Sequence, residues 1–319
     1  MRSILCLLLL LAGCKWDVGQ FVLRPTIEER MKDNLSGNLR VQPAPVVNPD
    51  SFRFALFGDP QIPEDFSTYL KRFRQDVRDY GIEFFGVLGD LTNDCSESER
   101  EFVRAELDST GVPYYCTLGN HDLYEDAGWF WFKTVFGASC YSVVVADKLK
   151  LLFLDSAEDR FGQEQFDWLE RELNDSDRYV KVVGTHFPIY DGAQPIMWRL
   201  SSTEERYKLL SLLLKYRVHS YVSGHIHGWR YSNLDGLNHF ICAMPAGGGQ
   251  DYGKPAYLLF TWAHDSLSWE HVEYDFAPEH GEGTANERES EPGEWNRQGR
   301  QERQGVLGNP ENETTSERK

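Results

Sequence analysis

The sequence lacks several features that would place a protein in a familiar class at once. It has no internal repeat, no dense run of Lys or Arg, and no long apolar segment beyond its first residues. Basic side chains are outnumbered, 33 Lys and Arg against 50 Asp and Glu, so the formal charge is −17. Because phosphate backbones are held by Lys and Arg, this balance argues against a nucleic-acid-binding protein.

The chain does have enough apolar residues to fold. Of its 319 residues, 41% are hydrophobic and 13% are aromatic, which supports a sizeable core in one large domain or two small ones. This composition excludes wholesale disorder, collagen and a coiled coil. After Phe276 the chain is dominated by Glu, Gly, Arg, Gln and Asn, and residues 277–319 are predicted to be a disordered polar tail.

The N-terminus has the pattern of an export signal. Arg2 is followed by an apolar run, residues 4–11, that is too short to span a bilayer but fits the core of a signal peptide. The run ends in Leu-Ala-Gly-Cys14, which resembles the bacterial lipobox, in which the cysteine is acylated. The resemblance implies a signal peptide over residues 1–13 and a lipid anchor at Cys14. It places the protein in a bacterial cell envelope, on the periplasmic or cell-surface side of a membrane. An ordinary signal peptide that ends near a cysteine is the alternative.

Residues 14–51 are of mixed composition and contain two stretches with proline, 42–45 and 48–50, so they are predicted to be a tether. The domain itself is predicted over residues 52–276. Four cysteines remain after the signal and Cys14, at Cys95, Cys116, Cys140 and Cys242. Outside the cytoplasm they could form disulfides, with three possible pairings. Cys116 and Cys242 lie in apolar strand-like runs and could equally be buried free thiols.

Alternation of strand-like and helix-like patterns predicts an α/β domain. Strand runs at 52–58, 84–89 and 114–118, with helical patterns between them, indicate parallel strands covered by helices. Short strands near Tyr221, Phe240, Leu258 and Trp269 follow without long helices between them. They are expected to form a second, largely antiparallel sheet packed on the first.

Five short polar motifs follow one another, each at the end of a strand-like run. They are Gly58-Asp59-Pro60-Gln61, Gly89-Asp90-Leu91-Thr92-Asn93, Gly119-Asn120-His121-Asp122, Thr185-His186 and Gly224-His225-Ile226-His227. Because ligands bind beyond the carboxyl ends of strands in open α/β sheets, these motifs are expected to converge on one site. Carboxylates, an amide oxygen and imidazoles together suit Mn, Fe or Zn.

This ordered set resembles the calcineurin-like metallophosphoesterases, whose motifs are D-x-H, G-D-x-x-D, G-N-H-D/E, a lone His and G-H-x-H. The match runs from Asp59 to His227, most of the predicted domain. The resemblance implies a four-layer α/β/β/α sandwich of two mixed β-sheets flanked by helices. It also implies a hydrolase of phosphoric mono- or diesters with two divalent metal ions as cofactors and a small phosphate ester as substrate.

The resemblance assigns roles residue by residue. The metal ligands would be Asp59, Gln61 and His227 for the first ion, Asp90 as the bridge, and Asn120, His186 and His225 for the second. The two ions would turn a bridging water into the attacking hydroxide. His121 would be the catalytic acid that protonates the leaving group, oriented by Asp122.

Two positions depart from the family pattern. Gln61 stands where the family usually has a histidine ligand, and its amide oxygen would coordinate more weakly. Asn93 replaces the Asp that closes the second motif, and it is not the Tyr of purple acid phosphatases, so an iron–tyrosinate centre is not expected. The departure at Gln61 leaves a second hypothesis open, a non-hydrolytic phosphate-ligand binding protein with an altered first metal site.

Three further features have structural and functional interpretations. The aromatic run 129–132 could wall a substrate pocket or belong to a helix packed on the sheet. The Gly-rich stretch 247–252 reads as a turn more readily than as a phosphate loop. Asp155, at the end of a strand run, fits a cap or turn better than a place in the site.

Overall fold

The computed structural model describes residues 24–61, 67–174, 178–191, 199–244 and 254–275. The predicted signal peptide with Cys14, the Gly-rich stretch 247–252 and the predicted polar tail lie outside the described residues. Within those ranges, no helix combines the length and the hydropathy that crossing a bilayer requires.

The described chain alternates strands and helices over most of its length. The helices are α1 (Ile27–Leu35), α2 (Ser67–Asp79), α3 (Glu97–Asp108), α4 (Gly128–Val135), α5 (Gly162–Leu173) and α6 (Thr203–Lys215), with a 3₁₀ turn at His121–Leu123. The strands are β1 (Ser51–Phe57), β2 (Phe84–Leu88), β3 (Tyr114–Thr117), β4 (Tyr141–Val145), β5 (Leu149–Phe153), β6 (Val180–Gly184), β7 (Ser220–Ser223), β8 (Trp229–Leu234), β9 (Leu237–Cys242), β10 (Ala256–Ala263) and β11 (Ser266–Glu273).

The strands form two mixed sheets, as the sequence predicts. One has the order β11-β10-β1-β2-β3 and the other the order β4-β5-β6-β7-β9-β8. In the first sheet β1, β2 and β3 are parallel, which confirms the β-α-β-α-β beginning. Alternate residues of β1 serve two cores: Phe54 and Leu56 face the other sheet, and Phe57 faces the helices.

The prediction that the later strands form a separate antiparallel sheet is wrong. β10 pairs antiparallel with β1 and carries β11 with it, so both strands extend the first sheet. β7 lies parallel to β6, and β9 lies parallel to β7, so both join the second sheet. Every residue of β7 and β9 is buried, and a strand covered on both faces gives no alternation from which to infer its neighbours.

Three apolar clusters make the sandwich a four-layer α/β/β/α structure. One lies between the two sheets. A second packs α2, α3 and α4 on the outer face of the first sheet. The third packs α1, α5 and α6 on the outer face of the second sheet. The aromatic run on α4 divides accordingly, with Trp129 and Phe132 buried in the core and Phe130 exposed. Its main role is therefore helix packing.

The segment predicted to be a tether is more ordered than its composition suggests. Thr26 and Glu29 form a capping box that starts α1, and Ile27 and Met31 are fully buried against α5. We call residues 24–50 the N-terminal arm. The part of the predicted tether that the structure describes is therefore packed against the domain.

A buried ion pair holds the arm in place. The guanidinium of Arg30 donates to both carboxylate oxygens of Asp155 at 2.8 and 2.9 Å, and both side chains are 0% exposed. Arg30 also contacts Glu158 at 2.7 Å. Burial alone would lower the pKa of Arg30, but the charges of these carboxylates outweigh burial and raise it. Asp155 is thus an anchor for the arm and not a metal ligand.

The four cysteines outside the signal region, Cys95, Cys116, Cys140 and Cys242, are buried free thiols. Burial raises the pKa of the thiols of Cys116, Cys140 and Cys242 well above the usual value, so they stay protonated and unreactive. Of the two possibilities that the sequence left open, the structure has the free-thiol form.

Candidate metal centre

The five motifs converge where the carboxyl ends of strands from both sheets meet. Asp59 and Gln61 follow β1, Asp90 follows β2, and Asn120 follows β3. From the second sheet His186 follows β6, while His225 and His227 follow β7. The structure thus brings one set of motif side chains together: Asp59, Asp90, Asn120, His186, His225 and His227.

The turns into this centre use unusual backbone conformations. Asp59, Asp90 and His225 have positive φ values of 56°, 50° and 67°. Such values are uncommon for residues other than glycine and collect at functional sites. Glycine is required at two nearby positions, because the backbone there lies too close to a carboxylate to leave room for a side chain. A Cβ on Gly119 would lie 2.1 Å from an Asp90 carboxylate oxygen, and one on Gly224 would lie 2.3 Å from Asp59 Oδ2.

One half of the centre is a compact donor cluster. Asp90, His186 and His225 each present a ligand atom, and these atoms lie within 4.8 Å of one another. His186 Nε2 is 3.3 Å from Asp90 Oδ2, 3.0 Å from Asn120 Oδ1 and 3.2 Å from His225 Nδ1. These are the residues expected to hold the second metal, together with the bridging carboxylate.

The hydrogen-bond directions in this cluster call for a cation. His186 Nδ1 lies 2.9 Å from the Leu88 carbonyl oxygen, which can only accept, so Nδ1 carries the hydrogen. In the neutral ring, Nε2 then turns a lone pair toward Asp90 Oδ2 and Asn120 Oδ1, which are also electron-rich. A proton or a metal cation among these atoms removes the repulsion. The donor set therefore fits a divalent metal.

The pKa shifts of the cluster also favour a cation at this position. Burial would lower the pKa of His186, but the charges of Asp90 and Asp59 outweigh it and raise the pKa to about 9. For Asp90, burial acts to raise the pKa, yet His186, His121 and His225 hold it below the usual value. For Asp59, burial prevails and the pKa is raised well above its usual value. Positive charge is thus strongly favoured among these carboxylates.

The other half of the centre lies around Asp59. Both oxygens of its carboxylate share the hydrogen bond from the His225 backbone N–H, each at 2.9 Å, and the residue is 0% exposed. His227 Nε2 is 3.9 Å from Asp59 Oδ1. Gln61 is buried two residues after Asp59, and its backbone N–H donates to the Asp90 carbonyl oxygen at 2.9 Å. Two of the residues expected to hold the first metal, Asp59 and His227, are therefore neighbours, and the Gln61 backbone ties the same turn to the Asp90 loop.

His121 occupies the mouth of the centre, with a quarter of its side chain exposed. Its backbone N–H donates to Asp90 Oδ1 at 2.9 Å, which ties the residue to the donor cluster. On the ring, Nδ1 is 2.5 Å from the Asn93 carbonyl oxygen and Nε2 is 3.2 Å from the Tyr124 hydroxyl. Because a carbonyl only accepts, Nδ1 carries the hydrogen, and Nε2 is the nitrogen that faces the site.

The structure gives Asp122 a different task from the expected one. Its carboxylate does not orient the His121 ring, which is held by Asn93 and Tyr124. Oδ1 accepts from the Thr92 backbone N–H and hydroxyl, both at 3.0 Å, and Oδ2 accepts from the Gly119 N–H at 2.9 Å. Burial, with the nearby Asp90 charge, raises the pKa of Asp122 to about 6. The physical reason is the 3₁₀ turn, which aims the residue after His121 back at the loop that carries Asp90.

Sequence reasoning missed two side chains at this site. Tyr124 lies three residues after His121, and that spacing within a helical turn is a signal that could have been used. Arg24 contacts Tyr124 from the N-terminal arm. No local pattern marks Arg24, since it precedes the domain in sequence and meets the site only in the fold.

The family of the chain follows from this site and from a direct comparison. The family model of the calcineurin-like phosphoesterases matches residues 52–229, more than half of the chain. The chain therefore belongs to the calcineurin-like phosphoesterase family, as its motifs suggested. No curated protein matches the sequence significantly.

Solved structures share the fold at low identity. A dimetal phosphatase from Danio rerio is 16% identical, with a TM-score of 0.57 over 70% of this chain and 96% of that one. The purple acid phosphatase PPD1 from yellow lupin seeds is 18% identical, with a TM-score of 0.58 over 72% of this chain and 53% of that one. GAP50, described as the anchor in the inner membrane complex of Plasmodium, is 15% identical, with a TM-score of 0.56 over 70% and 85%.

Proposed function

We propose that the protein hydrolyses phosphoric mono- or diesters and needs two divalent metal ions to do so. The observation that carries this proposal is the donor cluster around His186, where Nε2 faces Asp90 and Asn120 in a geometry that calls for a cation. Membership of the phosphoesterase family and the dimetal phosphatase among the similar structures support the same reaction.

The residues divide between the two ions as the family motifs suggest. The first ion would be held by Asp59, Gln61 and His227, and the second by Asn120, His186 and His225, with Asp90 shared. When bound, such ions polarise phosphoryl oxygens and make water acidic enough to serve as a nucleophile at neutral pH. The protein holds the ligands in place from buried strand ends.

The contribution of the chain to the leaving group comes from His121. The Asn93 carbonyl fixes the hydrogen on Nδ1, so a second proton on Nε2 faces the site. That proton is available to the departing oxygen of the ester, which makes His121 the general acid. Its partial exposure lets a small substrate reach it.

The test uses purified protein that has been stripped of metal and reloaded with Mn, Fe or Zn. We expect turnover of an aryl phosphate monoester or diester only in the reloaded protein, with about two ions bound per chain. Asp90→Asn is expected to lose bound metal and to lower kcat by about 10³-fold, because several kcal/mol of transition-state stabilisation depend on the ions.

Asp94→Asn is the matched control, since Asp94 is an exposed carboxylate in the same loop. It should keep both the metal content and the activity of the wild type. No turnover with any of the three metals would contradict the proposal. Fewer than two ions per chain together with ligand binding would favour the non-hydrolytic alternative, for which Gln61 is the sequence argument.

We also propose that Cys14 is acylated and that the protein acts at a membrane of the bacterial envelope. The support is the sequence alone, an apolar run that ends in Leu-Ala-Gly-Cys. Cys14→Ser is expected to abolish labelling by a fatty-acid probe and to move the protein from the membrane to the soluble fraction. Cys6→Ser, within the signal, should leave the labelling intact. A Cys14→Ser protein that remains labelled would contradict the proposal.

A further inference from the structure

Tyr124 contacts both an expected metal ligand and the expected general acid. Its hydroxyl oxygen lies 3.2 Å from His121 Nε2, and the two ring centroids are 4.3 Å apart. The Asn120 amide nitrogen donates to the same hydroxyl at 3.4 Å. One phenol therefore contacts both a metal-ligand candidate and the general acid.

The directions of these hydrogen bonds form a chain that ends on His121. The amide of Asn120 turns Oδ1 to His186 and so offers only its NH₂ group to Tyr124. The Tyr124 oxygen accepts there and keeps its own hydrogen to donate. In the neutral ring, the form that His121 takes once its Nε2 proton has gone to the leaving group, Nε2 is the acceptor that remains, because the Asn93 carbonyl takes the hydrogen on Nδ1. The phenol thus fixes the ring by the nitrogen that faces the site.

Arg24 supports Tyr124 through its carbonyl oxygen and its ring. Its Nη2 donates to the Tyr124 carbonyl oxygen at 2.9 Å, and its guanidinium carbon lies 5.3 Å from the centroid of the ring. A cation over an aromatic face at this distance is an attractive contact. Arg24 is positioned in turn by the arm, since the carbonyl of the next residue, Pro25, accepts from the buried Arg30 at 2.6 Å.

We propose that Tyr124 is a positioning residue for the general acid His121, and that Arg24 of the N-terminal arm holds Tyr124 in place. The proposal rests on the phosphoesterase function proposed above. It extends the catalytic unit beyond residues 52–229, because Arg24 lies outside the segment that the family model matches. The N-terminal arm then supplies one of the residues that position the general acid.

The kinetic test is a double-mutant cycle between Tyr124 and His121. Tyr124→Phe removes only the hydroxyl, and kcat is expected to fall about three- to tenfold, the range for one neutral hydrogen bond. KM should change less than about twofold, since the phenol acts on the transition state through His121. In the His121→Ala background, Tyr124→Phe should cause no further loss. An equal loss in both backgrounds, or no loss in either, would overturn the proposal.

The contribution of Arg24 is tested against a second arginine of the same arm. Arg24→Gln is expected to lower kcat about two- to fivefold in the wild type and not at all in Tyr124→Phe/His121→Ala. Arg40 also holds the arm, by donating to the Val135 carbonyl oxygen at 2.6 Å, but it does so away from Tyr124. Arg40→Gln should keep the wild-type kcat. Equal losses in Arg24→Gln and Arg40→Gln would show that the arm acts only through stability.

A measurement without substrate separates this proposal from the proposed reaction. ¹⁵N NMR of the His121 ring should show the hydrogen of the neutral form on Nδ1 and an acceptor-type Nε2. Tyr124→Phe should shift the Nε2 resonance, and Arg40→Gln should not. A shift in a protein without phosphoesterase activity would overturn the reaction and keep the positioning role. An unchanged Nε2 resonance would overturn the positioning role whatever the activity.

Discussion

Replacing His121 with alanine is expected to lower kcat by about 10²–10⁴-fold for a phosphate ester with a poor leaving group such as an alkoxide. The loss should be much smaller for a nitrophenyl ester, whose leaving group departs without a proton. The reason is geometric. The Asn93 carbonyl holds Nδ1, and Nε2 is turned toward the metal ligands, so the side chain is placed to protonate a leaving oxygen.

The measurement is a series of aryl and alkyl phosphates of graded leaving-group pKa. His121→Ala should steepen the dependence of kcat on that pKa, whereas His264→Ala, at an exposed turn remote in sequence, should leave it unchanged. Metal content should be the same in all three proteins. A loss of equal size for every leaving group would show that His121 contributes to the site in another way.

The largest effect on stability is expected at Arg30. Arg30→Met leaves Asp155 as a buried charge without its partner, and breaking such pairs typically costs about 3–5 kcal/mol. For a domain of this size the Tm should fall by roughly 10 °C. The effect is large because both side chains are 0% exposed and joined by two hydrogen bonds.

Two further variants test whether the loss of stability comes from the unpaired buried charge. Arg160→Met breaks an ion pair to Glu28 on α1 in which both side chains are 40% or more exposed, and its cost should stay within about 1 kcal/mol. Arg30→Met/Asp155→Asn should recover part of the loss, because no buried charge is left. Urea denaturation measures all of these. A cost for Arg30→Met as small as that of Arg160→Met would show that the pair does not hold the arm.

Much of the fold could be predicted because the local sequence patterns indicate the same helices and strands that the packed domain contains. A Ser with a Glu three residues later is typical of a capping box at a helix start, and Ser96 and Glu99 form such a box at α3. Ser202 and Glu205 have the same spacing, and Ser202 caps α6, but Glu205 does not complete the box. Its carboxylate instead accepts from the Phe161 and Gly162 N–H groups at the start of α5. From the sequence alone Glu205 could bond to the N-terminus of its own helix or to another helix. The position of α5 in the fold decides which of the two forms.

The candidate site was predictable to a similar degree. The order of Asp59, Asp90, Asn120, His186 and His225 along the chain was enough to place them together, since strand ends meet at one edge. Asp122 could not be assigned correctly from sequence, because its neighbour His121 suggests a contact that the 3₁₀ turn prevents. Arg24 and Arg30 could not be recognised either, since their partners are about 100 or more residues away.

With Cys14 acylated as proposed, the arm would also limit the distance between the membrane and the candidate site. Arg24 touches the catalytic loop, and only ten residue steps separate it from Cys14. A fully extended chain of that length spans at most about 36 Å. With Cys14 acylated as proposed, the reaction would be confined to a layer a few nanometres deep beside the lipid. Esters carried on the same surface would then meet the enzyme by lateral diffusion, and soluble esters only within that layer.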